Sequence, residues 1–398
     1  MRVETVGRVV HSERGEGRTL MREPVSIRFH LNVNSPIAPR ESTLASSLFP
    51  LPTPHVALGL AIAALCLLLA PSAVAQVPQP LSAEQVRTSI RRGSEYLLSE
   101  LPKTEREMGN RQGGVTALCT LALLNAGVPV GDPKIQDALK FLRTLPPEGT
   151  YVVALQTMCF CLAHPERDLP LIQRNVAWLE QTQNKEGELA GAWSYPGAGG
   201  GQSGDNSNSQ FAVLALHEAE RAGARVDMRT WQLAAKYWKE CQRPDGSWTY
   251  QKGRSHAGTG SMTCAGIAAT VICSGRVAAA SASMEGGAVQ CCLPPEEDDA
   301  LQRALTWLGR NFSVNRNPGI RGMQHQWHYY YLYGLERVGR LTARRLIGGH
   351  DWYREGAEFL ISQQDDFGHH WVGSGFSEEN PHVATAMALL FPSKGRRP

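Results

Sequence analysis

From residue 81 onward, apolar and polar positions recur with helical spacing in almost every segment. In six segments the apolar residues form one stripe and Arg, Lys, Glu and Gln occupy the other faces, which predicts amphipathic helices. These segments span residues 83–101, 132–145, 169–183, 227–242, 298–311 and 351–364. Several of them begin at or just after a residue type that favours the N-cap position. Those residues are Ser82, Asp132, Asp227, Asp298 and Asp351.

Six other segments are apolar on nearly every face and rich in Ala, Gly and Cys. They span residues 114–126, 151–163, 208–222, 262–273, 327–338 and 383–391. Helices of this composition are buried on most faces. Because no run of alternating β-branched residues predicts a strand, the expected fold class is all-α.

The two kinds of helix alternate strictly, which gives six helical hairpins. Since no hairpin can bury its apolar helix alone, the hairpins are expected to stack side by side. If the sixth packs on the first, apolar helices line the inside of an α/α toroid and amphipathic helices form its outer wall. An open solenoid produces the same alternation. Residues 274–297 lack helical periodicity and predict a surface loop between the fourth inner and the fifth outer helix.

A three-residue motif recurs after three amphipathic helices. It consists of a Gln at the helix end, a Gly in the following turn, and then a Trp. The copies are Gln183, Gly191 and Trp193; Gln242, Gly246 and Trp248; and Gln364, Gly368 and Trp371. Three weaker copies, around Tyr96, Phe141 and Trp307, lack the Gln. A repeat of this kind specifies architecture before it specifies chemistry.

The motif resembles the QW repeat of squalene cyclases. The alternation of helices resembles that of the α-α toroid superfamily, which includes terpenoid cyclases and protein prenyltransferase β-subunits. The resemblance extends over about residues 82–392. It implies that each Gln bridges helix ends and each Trp packs over them, as a structural clamp. It also implies that reacting groups lie at the starts of the inner helices and face a central cavity.

The acidic motif of squalene–hopene-type cyclases, Asp-x-Asp-Asp, corresponds here to Asp205, Ser207 and Asn208. Protonation of a carbon–carbon double bond needs a strong acid, which clustered carboxyl groups provide. Only Asp205 remains as a catalytic residue, so the sequence argues against a protonation-initiated cyclase. The alternative interpretation is that Asp205 and Ser207 cap the following helix.

Other polar and aromatic residues near the starts of inner helices are predicted to line the cavity and contact a ligand. They are Asn206, Asn208, Gln210, Thr259, Trp327, Tyr329 and Tyr330. Of these, Trp327, Tyr329 and Tyr330 can offer π faces to a cation or a sugar. Filling of the core is the alternative role for this aromatic run.

Prenyltransferases hold zinc with Asp-x-Cys on one inner helix and His on the next. The corresponding residues here are His325 and His382, without the thiolate or the carboxylate. A zinc site would need a third ligand, for which His328 or His350 is available in the sequence. Two histidines near helix starts without any metal is the alternative. No other cofactor is predicted.

The first 75 residues predict an export segment. Residues 1–55 lack periodicity and are interpreted as a disordered extension. Residues 56–75 combine an apolar run with Ala73 and Ala75, the signal-peptidase pattern, so we expect cleavage after Ala75 and a toroid domain over residues 76–398. An anchor at residues 56–70 is the alternative. Export permits disulfides, for which Cys291 and Cys292 are the first choice.

The composition leaves three hypotheses for function. A formal net charge of +3 in 398 residues gives no nucleic-acid footprint. The first hypothesis is an exported terpenoid cyclase/prenyltransferase-like toroid that binds an apolar or isoprenoid-like small molecule or lipid in its cavity. Its catalytic activity is left open, and any activity would be of the terpene cyclase or prenyltransferase type. A membrane is involved only through the signal segment. The second is a non-catalytic exported scaffold that binds protein or glycan through its rim loops. The third is a secreted α/α-barrel glycan-active enzyme, which needs two carboxylates where only Asp205 is recognised.

Overall fold

A computed structural model describes residues 81–104, 113–195, 204–253, 257–281, 284–285, 288–289, 295–319, 322, 324–375 and 377–393. These residues belong to one of the two compact units of the chain, Val77–Pro398. The other unit, Met1–Gln76, lies outside the described residues, and with it the predicted extension and signal segment. Cys291 and Cys292 also lie outside them.

The described residues form twelve α-helices in two alternating sets. The first set comprises α1 (Ala83–Thr104), α3 (Pro133–Thr144), α5 (Pro165–Thr182), α7 (Met228–Cys241), α9 (Pro295–Arg310) and α11 (Trp352–Gln363). The second set comprises α2 (Gly114–Ala126), α4 (Thr150–Ala163), α6 (Asn206–Arg221), α8 (Gly260–Ser281), α10 (His328–Leu341) and α12 (Pro381–Ser393). The predicted all-α class and the six helix pairs are confirmed.

Two short antiparallel hairpins complete the described secondary structure. Strand β1 (Met284–Glu285) pairs with β2 (Ala288–Val289), with Met284 opposite Val289. Strand β3 (Leu346–Ile347) pairs with β4 (His350–Asp351), with Leu346 opposite Asp351. Both lie in connections between helices, so they leave the helical architecture unchanged.

The second set of helices forms a closed inner ring. Each of α2, α4, α6, α8 and α10 packs against the next member of the set, and α12 packs against both α10 and α2. The amphipathic helices surround this ring. Closure distinguishes the toroid from the open solenoid, because the apolar faces of the first and last inner helices are then buried against each other.

The composition of the inner helices allows them to pack closely. Eleven of the thirteen residues of α2 are buried. At the contact between α10 and α8, a Cβ atom on Gly334 would lie only 2.9 Å from the Cβ of Cys264. Small residues at such positions let neighbouring backbones approach, and larger side chains would push the ring apart.

The Gln of each full repeat joins two successive outer helices. Gln183, after α5, donates from Nε2 to the carbonyl of Thr230 in α7 at 3.1 Å. Gln242, after α7, donates to the carbonyl of Ala300 in α9 at 2.8 Å. Each amide also reaches a carbonyl in its own turn, Gly191 at 3.4 Å and Gly246 at 3.2 Å. These bonds tie the start of one outer helix to the turn that follows the preceding outer helix.

The Trp of each repeat fixes the end of the outer helix that precedes it. The indole Nε1 atoms of Trp193, Trp248 and Trp371 donate to the carbonyls of Leu179, Trp238 and Leu360 at 2.7, 3.0 and 2.7 Å. All three indoles are buried. The geometry agrees with the clamp role that the resemblance implies.

Four of the five predicted N-cap residues accept backbone hydrogen bonds. Asp132, Asp227 and Asp351 accept from Lys134, Arg229 and Arg354 at 2.9, 3.0 and 3.2 Å. Ser82 accepts from the Gln85 amide, and Gln85 Oε1 accepts from the Ser82 amide, which is a capping box.

Two boundaries differ from the sequence prediction. Helix α9 begins at Pro295, so Asp298 lies inside its first turn and is not the N-cap. Helix α8 continues to Ser281, eight residues beyond the predicted end at Cys273, and β1 and β2 follow it. The apolar periodicity ends early because residues 275–278 are more exposed than the turns within the ring.

Helix α8 is also long and apolar enough over Gly260–Ala278 to span a membrane by length and composition. In the ring, 61% of this stretch is buried against other helices. Its apolar character is therefore accounted for by its position in the inner wall, since a helix surrounded by protein needs no polar face.

Candidate functional site

A cavity of about 520 Å³ lies among the N-terminal ends of the inner helices. This volume is in the usual range for small-molecule sites. One part of the wall is aliphatic and comes from α2, α4 and α12: Val115, Leu118, Val152, Leu155, Val383 and Met387. The rest of the wall is aromatic and polar: Tyr151, Tyr195, Asp205, Ser207, Tyr250, Trp327, Tyr330, Ser377 and Glu378, with Gly114.

The aromatic side chains of the wall pack on one another. Tyr151 stacks with Tyr195, with ring centroids 6.0 Å apart, and Tyr250 meets Trp327 at 5.0 Å with the rings tilted by 49°. The hydroxyl of Tyr330 donates to Oε1 of Gln210 in α6. These contacts fix the orientations of the rings in the wall.

Two wall residues adopt backbone conformations that L-amino acids rarely take. Trp327, the residue before α10, has φ 51°, and Ser377 has φ 77°. For a bulky side chain such as Trp this conformation is strained, and strain of this kind is concentrated at functional sites. Both residues line the same cavity as Glu378.

Glu378 is a buried carboxylate at the start of α10. Its two oxygens accept from the backbone amides of Tyr329 at 3.2 Å and Tyr330 at 2.8 Å, which are free donors at a helix N-terminus. The residue is only 2% exposed. Burial raises the pKa of Glu378 to about 7, although the backbone donors act in the opposite direction. At neutral pH both protonation states are therefore populated.

Asp205 supplies the second carboxylate of the wall and is the N-cap of α6. Its Oδ1 accepts from the backbone amide of Asn208 at 2.9 Å, from the Asn208 side chain at 3.1 Å, and from the Ser207 hydroxyl. It is half-buried. The capping interpretation and the cavity position thus apply to the same residue, because the caps of inner helices face the cavity.

Both carboxylates affect the pKa of the same phenol, that of Tyr250. Burial raises the pKa of Tyr250, and the negative charges of Asp205 and Glu378 raise it further. The sequence analysis recognised only Asp205. Glu378 was missed because it precedes α12 in the chain but binds the start of α10, a tertiary relationship that no local spacing reveals. Its position directly before an inner helix was the available signal.

The predicted ligand residues fall into two groups. Trp327 and Tyr330 lie in the cavity wall with Asp205. Five others are buried beside it and are absent from the described lining: Asn206, Asn208, Gln210, Thr259 and Tyr329.

These five residues support the wall through hydrogen bonds. The side chain of Asn206 donates to the carbonyl of Thr249 at 2.7 Å, and Thr259 accepts from the amide of Met262 at 3.2 Å, as a cap of α8. The hydroxyl of Tyr329 donates to the carbonyl of Val372 at 3.4 Å.

The two histidines proposed as metal ligands have different surroundings. His325 is exposed. His382 is 9% exposed, and its Nε2 lies 3.5 Å from Oε2 of Glu100 in α1. The Nε2 atom of His328 lies 2.8 Å from the carbonyl oxygen of Val314. In the part of the chain that the structure describes, no three His, Cys, Asp or Glu side chains gather as a ligand set.

Three solved structures illustrate the likeness of the fold. A possible GH105 family member from Salmonella enterica serovar Paratyphi A is 10% identical with a TM-score of 0.55, covering 80% of this chain and 96% of the other. A possible GH105 family member from Klebsiella pneumoniae is 11% identical at 0.54, covering 88% and 99%. A variant of the type II terpene cyclase MstE from Scytonema, bound to its product merosterolic acid A, is 12% identical with a TM-score of 0.49, covering 78% of this chain and 97% of the other.

At these identities the likeness shows the fold alone. No family model matches the sequence, and no curated protein matches it. The α/α toroid that was expected from the resemblance to terpenoid cyclases is confirmed.

Proposed function

We propose that this protein is an exported α/α toroid that binds an apolar, isoprenoid-like molecule in its central cavity. The observation that supports the proposal is the aliphatic part of the wall, to which three inner helices contribute Val, Leu and Met side chains. Export rests on the apolar run and the Ala-x-Ala pattern before residue 76. Catalysis is not part of this proposal.

Burial of a hydrocarbon chain against this wall is favourable by about 25 cal/mol per Å² of apolar surface removed from water. A ligand with hydroxyl groups along its length would leave them unpaired against Val115, Leu118 and Met387. Unpaired polar groups in an apolar environment cost several times the gain from a buried methylene. The wall therefore selects a molecule that is apolar over most of its length.

The chemistry of the carboxylates does not favour a protonation-initiated cyclase. Such a reaction needs an acid stronger than an ordinary carboxyl group, whereas burial makes Glu378 a weaker one, with a pKa of about 7. Asp205 is surrounded by Ser207 and Asn208 in place of further carboxyl groups. The pair is thus better suited to hydrogen bonding and charge pairing with a ligand.

One observation favours a second function, glycan hydrolysis. Glu378 and Asp205 line the same cavity, and a protonated carboxyl beside an ionised one is the arrangement that glycosidases use. Screening of the purified protein against plant and bacterial polysaccharides tests this function. Hydrolysis that disappears in both Glu378→Gln and Asp205→Asn would support it, and hydrolysis that survives in either variant would exclude this pair as the catalytic one.

Ligand extraction tests the proposed function. Protein purified after export is extracted with organic solvent, and the extract is analysed by mass spectrometry for stoichiometric lipid. In parallel, thermal unfolding is followed with farnesol and geranylgeraniol, and with Met387→Trp, which fills the aliphatic part of the cavity, as the control. We expect retained lipid or stabilisation that the Met387→Trp variant loses. No lipid and no stabilisation would reject the proposal and favour the scaffold hypothesis.

A further inference from the structure

The polar end of the cavity contains negative charge and aromatic rings together. Its described lining includes two carboxylates, Asp205 and Glu378, and no Lys, Arg or His. An anionic head group placed there would meet like charges without a compensating cation, which is costly in a buried site. A sulfate, phosphate or diphosphate head group is therefore disfavoured at this end.

Five aromatic side chains surround the same end: Tyr151, Tyr195, Tyr250, Trp327 and Tyr330. Aromatic faces attract cations through the negative potential of their π systems, and Trp attracts them most strongly. Tyr250 and Trp327 pack on each other, with ring centroids 5.0 Å apart, so both rings are held in the wall beside the carboxylates.

A bare metal ion fits this end less well than an organic cation. The described residues contain no ligand set of three carboxylates, thiols or imidazoles. Both oxygens of Glu378 already accept hydrogen bonds from backbone amides. These bonds fix the orientation of the carboxylate, so its two oxygens are not both available to one metal ion. A large, weakly hydrated ammonium group needs charge and π surface but no fixed coordination geometry.

From this juxtaposition we propose that the cavity recognises a cationic amphiphile. Its alkyl or isoprenoid chain lies against the aliphatic wall, and its tertiary or quaternary ammonium head lies between the aromatic rings and the carboxylates of Asp205 and Glu378. This inference rests on the proposed function, because the chain of the ligand occupies the apolar cavity described there.

Binding assays with three probes of equal chain length test the head group, with the ammonium and the sulfonate used below their micelle concentrations and the neutral isostere below its solubility limit. The probes are decyltrimethylammonium, its neutral isostere in which carbon replaces nitrogen, and decanesulfonate. We expect the ammonium to bind at least about tenfold more tightly than the neutral isostere, and the sulfonate more weakly than both.

Matched variants assign the effect to the site. Glu378→Gln and Asp205→Asn should each weaken binding of the ammonium probe by about tenfold, which brings its affinity toward that of the neutral isostere. Glu379→Gln removes an exposed carboxylate one residue away that is absent from the described lining, and it should leave all affinities unchanged. Trp327→Leu should weaken binding of the ammonium probe more than binding of the neutral isostere.

The outcomes separate the two proposals. Equal affinity for ammonium and isostere would overturn the cationic head group and leave an apolar cavity. Tight sulfonate binding would overturn it as well, as would equal losses in Glu378→Gln and Glu379→Gln. No binding of any probe, in protein whose thermal unfolding shows it to be folded, would overturn both proposals.

Discussion

The side-chain amide of Gln364 donates to the backbone carbonyl of Ser89 at 3.1 Å, across 275 positions of the chain. Gln364 follows α11 and Ser89 lies in α1, so this bond joins the last outer helix to the first. The same amide reaches the carbonyl of His369 at 2.9 Å. Gln183 and Gln242 connect successive outer helices in the same way. The third repeat makes this connection between the last outer helix and the first.

Loss of this connection should destabilise the toroid. Gln364→Ala removes both of these hydrogen bonds, which we expect to cost about 1–2 kcal/mol in the free energy of unfolding. Urea denaturation measures the loss. The neighbouring Gln363→Ala is the control, since the Gln363 amide bonds only to the exposed Ser362 hydroxyl. Equal stability of the two variants would show that this bond does not hold the ring closed.

Two glycines of α8 should respond in opposite directions to alanine. A Cβ on Gly266 would lie 2.3 Å from the indole of Trp248, so Gly266→Ala must displace the clamp and should cost about 1–3 kcal/mol. At Gly275 no atom lies within 4 Å of the added Cβ, so Gly275→Ala should stabilise the helix by about 0.5–1 kcal/mol. Thermal and urea unfolding of both variants check the pair. A stabilising Gly266→Ala would contradict the observed packing of Trp248.

The cap and the charge of Asp205 can be separated. Asn keeps an oxygen that accepts from the amide of Asn208, so Asp205→Asn should change stability by about 0.5 kcal/mol or less. Alanine removes the acceptor, and Asp205→Ala should cost about 1–2 kcal/mol. Urea denaturation at low and high salt compares them. If the two variants are equally unstable, the charge and not the hydrogen bond stabilises the start of α6.

Glu378 should make stability depend on pH. Its pKa is about 7 in the folded protein and near 4.5 when unfolded, so the folded state binds more protons between these values. Its contribution is fully present below about pH 4.5 and is lost as the pH rises to about 7, a change of up to about 3 kcal/mol. His328, whose pKa burial lowers from 6.5 to about 4, has the opposite slope.

The difference between the wild type and Glu378→Gln isolates the carboxylate from His328. We expect the variant to gain stability relative to the wild type as the pH rises from 4.5 to 7.5, as measured by urea unfolding at each pH. Glu379→Gln, at an exposed neighbour, should run parallel to the wild type. A difference that stays constant with pH would mean that Glu378 titrates normally.

The sequence by itself determined the helices, their alternation and the positions of the Gln and Trp repeats, whose clamp role the family resemblance implied. These follow from local rules: a stripe of apolar residues, a cap such as Asp132 or Asp227, and a Gln directly after a helix end that is followed by a Gly turn and a Trp. Such signals lie within a few residues of the structure that they specify. The predicted end of α8 differs from the observed end by only two turns, because residues 275–278 are more exposed than the turns within the ring.

Only the tertiary structure decided what faces the cavity. The apolar alternation was equally compatible with an open solenoid, and closure depends on α12 meeting α2 and on Gln364 reaching Ser89. Glu378 joins Asp205 at one cavity because a loop before α12 crosses to the start of α10. Its raised pKa results from that burial. Proximity and burial are properties of the assembled ring, and no spacing along the chain encodes them.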